Sequence, residues 1–248
     1  MSVTVPTTAT AARPWPGALA GLAHVLFFLA SLVLPDVLGQ NRGAALVTPY
    51  SSDAEVTRYL AETSRSIIPI AAFCQAMSAL ALLVFVPYAA DYVRRIAPER
   101  VSAGLVRATG TVAAAFLLLS ASAQWILNRP GIGDNLQVYR AVMDLVFITG
   151  AAAQVVTTGL LVGTIATAAR KARALPGWLN WLGLAVAALS ALSMLSLMFQ
   201  GATAFVPLGR FSGMAWFVGL TVVLLLRRHS LVATSAPHSA ASPVRGRA

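Results

Sequence analysis

The sequence predicts an all-α polytopic membrane protein, a bundle of six transmembrane helices, on three observations. Of its 248 residues 58% are hydrophobic and only 10% charged, with a mean hydropathy of +0.75. A soluble domain carries about 25% charged residues, so this chain lacks the polar surface to cover a water-facing globule and lipid must cover it instead. The apolar residues fall into six runs, about 17–34, 67–90, 103–127, 138–168, 178–199 and 210–226, each near or above the ~18 residues that mark a membrane helix. The formal net charge of +10 is confined to one set of loops and tails, which is how a fixed membrane orientation is written in sequence.

Residues 1–16 are rich in Thr, Ala and Pro without periodicity and are expected to form a disordered cytoplasmic tail. The first run follows Arg13 and Trp15. A signal peptide is the competing reading, but Leu34-Pro35-Asp36-Val37 offers no small-x-small cleavage site, so a retained anchor is expected. In the polar stretch that follows, Ser52-Asp53-Ala54-Glu55 has the form of a capping box, which predicts a helix starting near Asp53. Val56, Tyr59, Leu60 and Thr63 fall on one face of it and Glu55, Arg58, Glu62 and Arg65 mostly on the other, the pattern of an amphipathic helix on the outer membrane surface.

The second run contains Pro69 and Pro87, each able to kink a helix. Residues 91–102 form a short charged loop with Arg94, Arg95 and Arg100, and the third run ends near Trp125, where an interfacial indole would sit. A breaker-rich turn, 128–135, leads into the fourth run. That run ends at Arg170, Lys171 and Arg173, and Pro176-Gly177 opens the fifth. Residues 200–209 read as a short connection; the sixth run closes at Arg227-Arg228-His229, and 230–248 form a second disordered cytoplasmic tail. The transmembrane domain is thus expected over 17–229.

Six spans place both termini on one side. The first, third and fifth loops carry Arg42, Arg58, Arg65, Arg129, Arg140 and Arg210 against six carboxylates, and these cancel. The whole +10 lies on the termini and the second and fourth loops, so positive-inside bias makes both termini cytoplasmic. It also accounts for the basic charge without nucleic acid. The partners expected are the lipid bilayer, anionic headgroups at the cytoplasmic rim and other membrane proteins.

The fourth run alone carries both members of a charge pair, Arg140 and Asp144, at i and i+4. With Phe147, Ala151, Gln154, Thr158 and Leu161 they form a seam at alternating four- and three-residue steps, expected to face the bundle interior. Counting helical rise back from the basic cluster puts Asp144 at the outer interface or just below it, as an orienting ion pair or as part of a site. Gln75, Gln124, Gln154 and Gln200, with Ser31 and Ser196, could line an outward-opening polar pocket with that pair, continued by Ser190 and Ser193. Interhelical hydrogen bonding is the simpler account of the same residues.

Within the spans His24 is the one histidine, too few for a two-ligand haem or for zinc. Cys74 is the one cysteine, and there is no nucleotide-binding or hydrolytic motif. No cofactor and no enzymatic activity are expected. The GxxxG matches at Gly17/Gly21, Gly159/Gly163 and Gly209/Gly213 are read as close packing within the bundle.

Three stretches carry a resemblance: Ser52 to Val56, the run Leu175-Pro176-Gly177-Trp178-Leu179-Asn180-Trp181-Leu182-Gly183, and Leu208 to Gly213 with Trp216 and Arg227-Arg228. On these the chain resembles uncharacterised six-helix integral membrane proteins of bacteria, from about Gly17 to Arg228. The resemblance implies the six-helix architecture and no activity. The function expected is that of a non-enzymatic bundle packing with lipid or partner proteins. Its alternatives are a small transporter with an outward pocket around Asp144 and, last, an intramembrane enzyme.

Overall fold

In a lipid phase an apolar stretch must satisfy its backbone internally, so each long run closes its hydrogen bonds as helix. The computed structural model describes residues 15–39, 47–62, 68–98 and 100–234, and is all-α with no strand among them. In chain order the elements are α1 (Trp15–Gly39), α2 (Asp53–Glu62), α3 (Ile68–Ile96) and α4 (Arg100–Leu127). They are followed by α5 (Leu136–Phe147), a π-helical segment (Ile148–Ala153), α6 (Gln154–Lys171), α7 (Gly177–Leu192) and α8 (Phe205–Thr234). Six units are long and apolar enough to cross a membrane, and α5, the π segment and α6 together make the fourth.

The spans form a ring in chain order. α1 packs on α3, α3 on α4, α4 on α6, α6 on α7 and α7 on α8, while α8 closes back onto α1. α6 also reaches α3 and α8 across the middle. The main core joins Phe28, Leu82, Leu117, Leu161, Ile165 and Trp216, all fully buried. Two of the stretches that carry the resemblance meet in it: Trp216 of α8 donates from Nε1 to the Leu179 carbonyl at 3.1 Å. Gly183 leaves the room, since a Cβ there would lie 2.8 Å from that Nε1.

Several helices overrun the bounds that hydropathy suggests, for local reasons. α1 continues through Pro35 to Gly39, because a proline removes one amide donor and not the whole turn. α3 runs to Ile96, so Asp91, Arg94 and Arg95 sit on its last turns, Asp91 accepting from both arginines, and not in a loop. α8 begins at Phe205, five residues before the expected start. Pro207 falls in its first turn, where the first four amides have no partner to lose. At the other end α8 extends to Thr234, so residues 230–234 are helical and not tail. The rest of the two expected tails, 1–14 and 235–248, lies outside the described residues, as do Thr63 and Arg65 of the amphipathic face.

α2 forms where the capping box places it. The Ser52 amide donates to Glu55 Oε2 at 2.6 Å and the Glu55 amide to the Ser52 hydroxyl at 3.3 Å. Its apolar face is pinned by Val56, 1% exposed, in a small core of its own with Leu127 and Tyr139. This places α2 across the end of α4 and α5.

Candidate functional site

Beneath α2 the bundle forms a partly open chamber of about 330 Å³, walled by α1, α3, α4, α5, the π segment and α8. Val47 and Tyr59 close it from the α2 side. Most of its wall is apolar, including Phe28, Leu127, Met143 and Phe147, and its polar groups are Ser31, Gln75, Ser120, Gln124, Tyr139 and Arg210.

Arg210 is the one charged residue on that wall, five residues and roughly 7.5 Å of helical rise into α8. Its guanidinium donates from Nη2 to the Gly150 carbonyl and lies 4.9 Å from the centre of the Phe28 ring. Its Nε has no hydrogen-bond partner, and among the described residues Arg210 is in no ion pair.

The π segment supplies the acceptor. In an α-helix the Gln154 amide would bond the Gly150 carbonyl; here it is directed to the Thr149 and Ala151 carbonyls. Gly150 thus has its oxygen open to Arg210, and its lack of a side chain lets α4 approach, since a Cβ would lie 2.9 Å from that of Ser120. Interruptions of this kind recur at functional sites.

Of the other polar groups, Gln75 and Gln124 are only partly satisfied. Gln75 Nε2 reaches the Ser120 hydroxyl at a long 3.4 Å, and that hydroxyl donates to the Val146 carbonyl at 3.2 Å. Gln124 Oε1 is buried with no donor. Below the chamber a void of about 10 Å³ is bounded by His24, Gln154, Thr158 and again Arg210. There Gln154 Nε2 donates to Thr158 Oγ1 at 3.0 Å, and its Oε1 is unpartnered. His24 is held by Ser78 of α3. The Ser78 hydroxyl donates to the His24 carbonyl at 2.8 Å, which leaves His24 Nδ1 as the donor to the Ser78 carbonyl at 3.1 Å.

Of the residues expected to form a polar pocket, the structure brings Gln75, Gln124 and Ser31 onto the chamber wall. Gln154 bounds the smaller void instead, and Gln200 is exposed in a 3-10 turn. Ser190, Ser193 and Ser196 are buried on and just beyond α7, away from the wall, with Ser193 bonding the Ser190 carbonyl. Arg140 and Asp144 do not line the chamber, and they do not pair with each other. Arg140 is bonded to Asp53 and to the Ser51 carbonyl, clamping α2 onto α5. The reason is the π turn: it takes up an extra residue, so above it the inward row is displaced by one position, to Tyr139 and Met143.

Arg210 is the residue that sequence reasoning placed elsewhere, at the outer rim among charges that cancel. Pro207 was the available signal, since a proline in a first turn sets the start of α8 near Phe205 and carries Arg210 inward.

A scan against protein-family models, a search of curated proteins and a search of solved structures each find no match.

Proposed function

We propose that the protein is a non-enzymatic binding or carrier protein of the bacterial plasma membrane, which takes a small amphiphilic molecule into the chamber under α2. The observation that carries this is a cavity of about 330 Å³ within a six-span bundle, largely apolar but with Gln75, Gln124 and Arg210 on its wall. That is the composition of ligand sites, at the small end of their ~300–1,000 Å³ range. The wall offers a cation, amides and hydroxyls but no carboxylate or histidine beside them, so it has the means to hold a molecule and lacks an acid and base pair to transform one. This reading moves the transporter alternative from Asp144 to Arg210.

The charge asymmetry of the chain supports an orientation with α2 and the chamber on the outer side, both termini cytoplasmic, and the basic end formed by Arg94, Arg95, Arg170 and Lys171 against anionic headgroups. The likeness to uncharacterised six-helix bacterial membrane proteins fits the same assignment. Cysteine labelling at Ser52 and Ala172 should give outside and inside respectively; the reverse would sink the orientation. For the chamber, an environment-sensitive fluorescent amphiphile should bind the purified protein in nanodiscs, and Met143→Trp, which fills the cavity, should abolish that binding while the thermal transition persists. Undiminished binding to a folded Met143→Trp protein would exclude the chamber as the site.

A further inference from the structure

We infer that Arg210 is the anchor for the head group of the chamber's ligand, and that this ligand is a free, single-chain carboxylate. The inference rests on the chamber being a ligand site and adds the ligand's chemical class. A guanidinium keeps its charge in proteins, and Arg210 is half-buried, so its charge gains from an anion beside it. In this structure the compensation is one backbone carbonyl, that of Gly150, and one aromatic face, that of Phe28. Among the described residues no carboxylate answers it, although Asp53, Asp91 and Asp144 are all in the same chain. A cation held in this way at a largely apolar cavity is suited to receive an anion.

The number of charges and the volume narrow the class. One guanidinium on the wall neutralises one negative charge, and its planar fork matches a carboxylate in two parallel hydrogen bonds. A phosphate monoester brings about −1.5 to −2 at neutral pH and would leave excess negative charge among Phe28, Leu127 and Met143. A diacyl phospholipid brings the right charge but two long chains, more than about 330 Å³ can enclose. A single medium-length alkyl chain fits the apolar part of the wall.

The test uses the full chain in nanodiscs and probes of matched chain length: decanoate, decanol and decylammonium. Decanoate should bind about tenfold more tightly than decanol, a difference of ~1.4 kcal/mol, and decylammonium more weakly than either. Arg210→Gln should remove that preference while decanol binds as before, which shows that the chamber is still formed; Arg210→Lys should retain part of it. The isotope-labelled carboxyl of bound decanoate, followed by NMR, should stay ionised to lower pH in the wild-type protein than in Arg210→Gln. Equal binding of decanoate and decanol, or a preference that survives Arg210→Gln, would overturn the anchor and leave the chamber reading standing. If neither decanoate nor decanol binds the wild-type protein, the chamber reading falls and the anchor with it.

Discussion

Arg140 on α5 donates from Nη1 to Asp53 Oδ1 on α2 at 2.6 Å, and from Nη2 to the Ser51 carbonyl at 2.8 Å. These bonds join elements 87 positions apart in the chain and fix the helix that covers the chamber. Because the Asp53 side chain is 63% exposed, the ion pair contributes only about 0–1 kcal/mol, so its effect is local. In a Cys74→Ser background, Arg140→Gln should leave the global unfolding transition nearly unchanged but raise the labelling rate of a cysteine at Val56 several-fold. Asp144→Asn, at a residue that is in no ion pair with α2 and does not line the chamber, should alter neither quantity nor ligand binding. A Val56 label equally slow in both variants would mean that Arg140 does not hold α2 down.

The same cover carries a pH dependence. The amide and hydroxyl of Ser52 hold the Glu55 carboxyl below its ordinary value of 4.5. A depressed carboxylate pKa means that the stabilisation is full above 4.5 and is lost as pH falls through the lower, folded value. A spin label at Ala61 should therefore become more mobile on acidification below that point, and Glu55→Gln should remove the step. No change in mobility through that window in the parent protein would show that the capping box is not what orders α2.

The small residues of α6 set its distance from α7. A Cβ at Gly163 would stand 2.7 Å from that of Ala187, and one at Gly159 would run into Ser190. Both neighbours belong to helical backbone and have little room to yield. Gly163→Leu should lower bundle stability by roughly 1–3 kcal/mol, read from detergent-induced unfolding, whereas Gly104→Ala, with nothing within 4 Å, should be neutral or slightly stabilising. Equal effects of the two would argue that α6 and α7 are not packed through these positions.

What the sequence discloses follows from which forces act locally. The six spans are visible because burial in lipid is a property of composition, and α2 because Ser52 and Glu55 satisfy each other within four residues. The Trp216 and Leu179 contact was implicit in two stretches that stood out separately. Arg140 could be assigned an ionic role but not its partner, since Asp144 was in reach by helical spacing and Asp53 only through tertiary packing. Helical spacing also assumes an even helix, and Gly150 to Ala153 give no warning that theirs is not. Gln75 and Gln124 could be grouped by depth alone. Arg210 could not, because its depth depended on where α8 begins.

The π turn makes the fourth crossing a joint between two half-helices whose azimuths are set separately. Rewinding the same residues as an uninterrupted α-helix, with none removed, would turn everything above by about 100° relative to α6. Arg140 and Asp144 would then replace Tyr139 and Met143 on the chamber wall. The winding of this one segment decides whether α5 gives the wall an uncharged face or a zwitterionic one, so the chemistry of the cavity is encoded in how the helix closes as well as in its side chains.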